Sequence, residues 1–232
     1  MTAWKRGVRD SVPIMLGYLP VAFSFGLTAV QAGLSPHVTI LISVIVFAGG
    51  SQFVLVGLLA TGASAPATIA AVLLMNARHL FYGATLSQFL ARHTRLPRAL
   101  LAFGLTDEVF ASAMGKIASL DNMHEREYWL IGIQMCAYSS WVAGTIIGAH
   151  VGHSLALHWP AIDQALVFVL PALFLALLLD TDWRAQGIPV AVAGLVVLAG
   201  ALSQIPTHFA ILAGILAGGL SGCVLRKERR DV

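Results

Sequence analysis

Apolar residues along this chain come in long continuous runs, without the strict alternation of a half-buried strand. Glycine, proline and charge divide those runs into segments near residues 12–33, 37–61, 66–90, 99–118, 128–149, 162–180, 187–204 and 207–225. A helix crosses hydrocarbon with roughly 20 apolar residues, and most of these segments approach that length. Backbone polar groups inside a bilayer must bond within the protein, so only helices or a closed barrel can span it. Continuous runs select helices over barrel strands, which alternate. The expected fold is an all-α polytopic membrane bundle of six to eight transmembrane segments, forming one domain over residues 1–232.

Composition strengthens this expectation. The 232 residues are 58% hydrophobic and 11% charged, with mean hydropathy +0.82, whereas a soluble domain carries about 25% charged residues. No formal charge lies between Asp10 and Arg78, from Tyr128 to Ile162, or from Ala185 to Leu225. Lys5, Arg6 and Arg9 before an apolar run also describe a secretory leader, but the run over 12–33 exceeds a typical leader core, so a retained first helix is expected. Cys136 and Cys223 fall in apolar segments, where thiols act as small packing groups. His150, His153 and His158 have no acidic or thiol partners at zinc-site spacing. The chain has no phosphate-binding loop, nucleophile elbow or dinucleotide fingerprint. An enzyme, a cofactor or ATP-driven pumping by this chain alone is therefore not expected.

Loop charge bears on topology. The N-terminal Lys5, Arg6 and Arg9, the loop bearing Arg92, Arg95 and Arg98, and the tail with Arg226, Lys227, Arg229 and Arg230 all favour the cytoplasmic side. Eight plain spans place the Arg92 loop outside. If 37–61 and 162–180 are instead re-entrant, each interrupted by Gly49-Gly50 or Pro171, all three basic regions become cytoplasmic and the acidic loop with Asp121, Glu125 and Glu127 becomes external. A faint repeat accompanies the second plan: Gly17 to Ser24 matches Gly132 to Ser139, and Val46-Phe47 with Phe53 matches Val167-Phe168 with Phe174. Repeats over 12–90 and 128–204, linked by 99–118, are inverted in that plan.

Ionisable groups within spans are costly and mark function. Arg78 sits in Asn76-Ala77-Arg78-His79-Leu80-Phe81-Tyr82-Gly83, where Asn76, Arg78, His79 and Tyr82 offer donors for an anion, and helical spacing puts Arg78 and Tyr82 on one face. Two readings stay open for Arg78: a clamp for substrate, or an internal pair with Asp107 or Glu108. Those carboxylates are adjacent on a helix and point about 100° apart; they are candidate proton carriers, against a plain reading as helix-end carboxylates near water. The interruption Phe47-Ala48-Gly49-Gly50-Ser51-Gln52-Phe53 frees backbone groups and exposes a helix start suited to a carboxylate, with Ser51 and Gln52 adding donors. The alternative there is close packing through Gly49 and Gly50. Pro20 opens the ladder of the first segment as a hinge or a packing kink, and Gly214, Gly218 and Gly222 form a small-residue ridge for a close helix neighbour.

In this order, Pro20-Val21-Ala22-Phe23-Ser24-Phe25-Gly26, Phe47 to Phe53, Asn76 to Gly83 and Leu105-Thr106-Asp107-Glu108 resemble the AzlC/YgaZ family, the large subunits of bacterial branched-chain amino acid exporters. The resemblance spans most of the chain; Ala77 and Gly50 depart from the family's usual residues but leave the polar groups intact. It implies a multi-pass protein of the bacterial cytoplasmic (inner) membrane that exports valine, leucine, isoleucine and also methionine, with a separately encoded small hydrophobic AzlD-type partner. A zwitterion needs an anion clamp, a carboxylate and an apolar pocket. The candidates are Arg78, Asn76 and Tyr82 or the Gly49, Gly50, Ser51, Gln52 break; Asp107, Glu108 and His79 for proton coupling; and phenylalanines led by Phe23 and Phe53. The competing reading is a passive channel for small solutes.

Overall fold

The computed structural model describes residues 2–91, 93–120, 122–158, 183–205 and 207–228. They are helical, with no strand among them: α1 (Ala3–Asp10), α2 (Val12–Gln31), α3 (Pro36–Ile45), α4 (Gly50–Ala60), α5 (Ala65–Asn76), α6 (Arg78–Ser87), α7 (Arg98–Phe103), α8 (Asp107–Lys116), α9 (Met123–His158), α10 (Trp183–Leu202) and α11 (Thr207–Glu228). Stretches Val12–Gln31, Ala65–Ser87 and Met123–Val151 are long and apolar enough to cross a membrane. The segment expected at 162–180 lies outside the described residues.

Two compact units are present. One comprises Met1–Phe53 with Asn76–Val169, the other Val54–Met75 with Leu170–Val232. In the second unit α10 and α11 pack together: a Cβ on Gly214 or Gly218 would lie 3.0 Å from the Ala193 or Pro189 carbonyl oxygen, respectively. The glycine ridge thus has its close neighbour within the chain. Leu58, Ala63 and Ala71 form a small apolar cluster of the same unit.

In the first unit α9 is the pillar. The α1–α2 arm runs parallel to it along a glycine seam, where a Cβ on Gly7 would stand 2.2 Å from the Trp129 carbonyl oxygen, and on Gly148 2.0 Å from that of Phe23. Lipid offers helices no hydrophobic drive to associate, so backbone-to-backbone approach through small residues supplies the attraction. Helix α2 passes through Pro20 without interruption.

Charged side chains fasten one end of this unit. Arg6 pairs with Glu125 at 2.7 Å, while Asp10 accepts from Lys116 and from Trp129 Nε1. The fully buried Glu127 carboxylate accepts from the Arg95 and Leu96 amides at 2.8 and 3.2 Å, and the Arg126 guanidinium donates to the Phe89 and Leu120 carbonyls. The N-terminal helix, the basic loop after α6 and the acidic residues opening α9 therefore share one end. This differs from both topologies written from loop charge. Glu125 and Glu127 lie with the N-terminus, because 98–116 folds back on itself: α7 rises to Gln134 and Tyr138 of α9, the chain turns, and α8 comes back to Asp10.

The expected interruption near Gly49-Gly50 is present. Helix α3 ends at Ile45, Phe47 and Gly49 adopt positive φ of 36° and 40°, and α4 begins at Gly50. The chain reverses there, since Gln52 reaches back to Ser43 and Phe53 packs edge-on against Phe25 at 5.4 Å. Two folded-back elements thus meet part-way along α9, where Phe47 stacks on Phe103 at 6.3 Å and both touch Tyr138.

Candidate functional site

Two helix interruptions, residues 46–49 and residues 104–106 between α7 and α8, converge at this level, beside a one-residue irregularity at Ala77, where α5 passes into α6 with the backbone still in the α-region. The second interruption is built by local chemistry. Thr106 takes the extended conformation of an N-cap and its hydroxyl accepts from the Val109 amide, so Asp107 and Glu108 occupy the first turn of α8, where the partial positive charge of the helix end favours carboxylates.

The two carboxylates face different partners, as their angular separation requires. Asp107 Oδ2 pairs with Arg78 Nη1 at 3.0 Å, and Asp107 Oδ1 accepts from the Tyr82 hydroxyl at 2.6 Å. Arg78 and Tyr82, one turn apart on α6, thus hold one carboxylate between them. Tyr82 stacks on Phe110 at 4.3 Å, and His79 meets the Tyr82 ring edge-on at 5.5 Å. Glu108 instead accepts from Tyr18 of α2, whose hydroxyl also lies 2.6 Å from Thr106 Oγ1. A phenol has one hydrogen and the carboxylate is the stronger acceptor, so the Thr106 hydroxyl donates to Tyr18 in turn.

Polar capacity is left over at the Ala77 irregularity. Among the described residues, Arg78 Nε and Asn76 Oδ1 are buried with no hydrogen-bond partner, one a donor and the other an acceptor on either side of Ala77. Arg6 Nε, His124 Nδ1, Glu127 Oε1, Gln134 Oε1 and Trp141 Nε1 are buried without a hydrogen-bond partner as well, and of the whole set these two alone flank the Arg78–Asp107 ion pair.

The first interruption is different. Gln52 Oε1 accepts from the Ala48 amide at 3.2 Å, its Nε2 donates to Ser43 Oγ at 3.0 Å, and Ser43 bonds Thr145 of α9 at 2.7 Å. Ser51 donates to the Ala48 carbonyl. Ser51, Gln52 and Ser43 are fully buried. Gly49 lies beside Trp141, and Gly50 opens α4. Phe53 is buried on Phe25, while Phe23 is half-buried, its carbonyl on the α9 seam.

The structure therefore gathers Arg78, Tyr82, His79 and Asp107 into one site, with Glu108 on its Tyr18 side, and sets Ser51 and Gln52 in a separate, closed network. Tyr18 and Thr106 were not expected. The signal for Thr106 was available: Thr-Asp-Glu after Gly104 is an N-cap signature. Nothing in the sequence linked Tyr18 to Glu108.

An all-helical membrane protein with a half-buried ion pair at interrupted helices defines the class. The chain belongs to the AzlC protein family, whose profile matches residues 13–155. It is 45% identical to the inner membrane protein YgaZ of Escherichia coli (strain K12), over 95% of this chain and 88% of that protein. It is 38% identical to an uncharacterized membrane protein of Archaeoglobus fulgidus, over 94% and 93% of the two chains. It is also 28% identical to the branched-chain amino acid transport protein AzlC of Bacillus subtilis (strain 168), over 99% and 89%. No solved structure matches the chain.

Proposed function

We propose that this protein is a secondary transporter that exports branched-chain amino acids and other neutral ones such as methionine across the cytoplasmic membrane, coupled to protons and working with a small hydrophobic AzlD-type subunit. Membership in the AzlC family and the branched-chain amino acid transport for which the Bacillus subtilis relative is named support amino acid transport. The observation that carries the reading is the Arg78–Asp107 pair beside the unspent Arg78 Nε and Asn76 Oδ1.

A zwitterion competes for both halves of that pair. Its carboxylate takes Arg78, with the planar guanidinium able to hold it through two N–H groups, and Tyr82 adds a hydroxyl donor. Its ammonium meets Asp107 and Asn76 Oδ1. When the substrate departs before Arg78 returns, the carboxylate that held its ammonium is left unpaired, which is costly in hydrocarbon, and it takes up a proton. Asp107 is the first such group, Glu108 the second, and His79 stands beside Tyr82 to relay. Phe23 and Phe53 are the candidates for the apolar surroundings, and Gly49, Gly50, Ser51 and Gln52 hold the neighbouring reversal in shape.

Counterflow of labelled valine into proteoliposomes loaded with unlabelled valine, with and without the small subunit, tests the reading. Saturable exchange that responds to an imposed pH gradient is expected. No valine movement in either preparation sinks it, and unsaturable flux indifferent to the gradient indicates a channel.

A further inference from the structure

A cavity of about 470 Å³ opens between α6, the loop after it, α7 and α9, all within the first unit. Leu86, Leu101, Leu105 and Leu130 contribute its wall, each at most 4% exposed. Arg98, at the start of α7, is the one formally charged residue of the lining. The walls also include Gly83 and Leu105, chain neighbours of Tyr82 and Thr106, so the cavity's upper end adjoins the Arg78–Asp107 site. Its other end approaches the loop that Glu127 holds through the Arg95 and Leu96 amides.

Sites for small organic ligands enclose roughly 300–1,000 Å³, mostly apolar, with a few polar groups that fix orientation. Here a leucine wall carries a single guanidinium. That chemistry suits a compact aliphatic body bearing one carboxylate, and the hydroxyl oxygens of Ser87 and Thr94 in the same lining offer acceptors for an ammonium group beside it. A guanidinium has five N–H donors, so the interaction Arg98 already makes within the protein leaves capacity for a carboxylate.

We infer that this cavity is a loading site for an aliphatic amino acid, with the substrate carboxylate on Arg98 and its side chain among the leucines, from which it passes to Arg78. The inference rests on the transport reading for its direction, but binding itself is independent of it.

The test uses Ala102, an exposed residue of the lining. Ala102→Cys, in a chain carrying Cys136→Ser and Cys223→Ser, is labelled with N-ethylmaleimide in proteoliposomes at rising valine. Valine is expected to slow labelling, and Arg98→Gln to raise the half-protecting concentration about tenfold, the worth of one charge-assisted hydrogen bond. Leu86→Trp fills the space and is expected to abolish protection; Arg98→Gln, at an exposed position, keeps the test independent of whether that tighter chain folds. Protection by a long-chain fatty acid but not by valine identifies a lipid tail as the occupant and overturns the inference. Unprotected labelling in protein that still performs valine counterflow overturns the cavity alone. Protection without counterflow, whether or not the small subunit is present, upholds the binding site and removes the transport reading.

Discussion

The interruptions at 46–49 and 104–106 meet tip to tip at Phe47 and Phe103, yet they use polar residues in opposite ways. The first is closed on itself: Gln52 bonds Ala48 and Ser43, Ser43 bonds Thr145, and each side chain is fully buried. The second presents two carboxylates outward from a helix start to groups on other helices, Arg78 and Tyr82 for Asp107, Tyr18 for Glu108. A folded-back element thus needs its polar groups satisfied: at 46–49 neutral groups bond within the element and to α9, and at 104–106 charged groups are shared with other helices, the arrangement on which the proposed transport site rests.

Breaking the charged side should have the largest effect. Arg78→Ala and Asp107→Asn are each expected to lower valine counterflow about 10- to 100-fold, the scale of a lost charge-assisted contact, with normal membrane insertion. Wild-type rates in both variants would place these groups outside the transport step.

Gln52→Leu should show the reverse pattern. It leaves the Ala48 amide and Ser43 without a buried partner, so a loss of about 1–3 kcal/mol is expected in detergent unfolding, with the exchange rate per folded molecule largely kept. A Gln52 variant of undiminished stability that stops transporting would erase the distinction between the two interruptions.

Thr106→Ala probes the joint between helix structure and site. Loss of the cap should cost about 1 kcal/mol. Because Thr106 also holds Tyr18, a modest fall in exchange should accompany it, and Tyr18→Phe should reproduce the fall in exchange without the loss of the cap.

The smallest effect is expected far from both interruptions, at Asp10. Partial burial pushes its carboxyl pKa up, but hydrogen bonds from Lys116 and Trp129 and the charges of Lys116 and Arg9 outweigh it and hold the value below the ordinary one. A depressed folded-state pKa contributes stability that is present above the unfolded value and fades as pH falls through the folded value. Acid below about pH 4 should therefore loosen the α1–α9 end, and Lys116→Met should flatten that dependence in unfolding scans. An unchanged acid profile would show that the pair adds nothing to stability.

Much of the helical layout was legible. The expected 12–33 segment appears as Val12–Gln31, 207–225 as Thr207–Glu228, and the interruption at Gly49-Gly50 where two glycines fall beside a glutamine. The expected 66–90 segment appears as the single span Ala65–Ser87, with only a local irregularity at Ala77. The interruption at 104–106 had a signal in its cap sequence, outweighed by the apolar residues on either side. Leucine and phenylalanine runs do not report whether a helix continues or folds back, since both conformations bury them equally well.

The sequence alone determined the solvent and the secondary structure: without charges over most of its length, and with backbone groups unable to bond to lipid, the chain has to be helical. It also singled out Arg78, Asp107 and Glu108 as charges too costly to leave in hydrocarbon without partners. Only the tertiary structure decided who those partners are and which end each loop occupies. The glycine seam sets α2 parallel to α9 and Arg6 beside Glu125, and these contacts join residues more than a hundred positions apart, a distance over which local pattern carries no information.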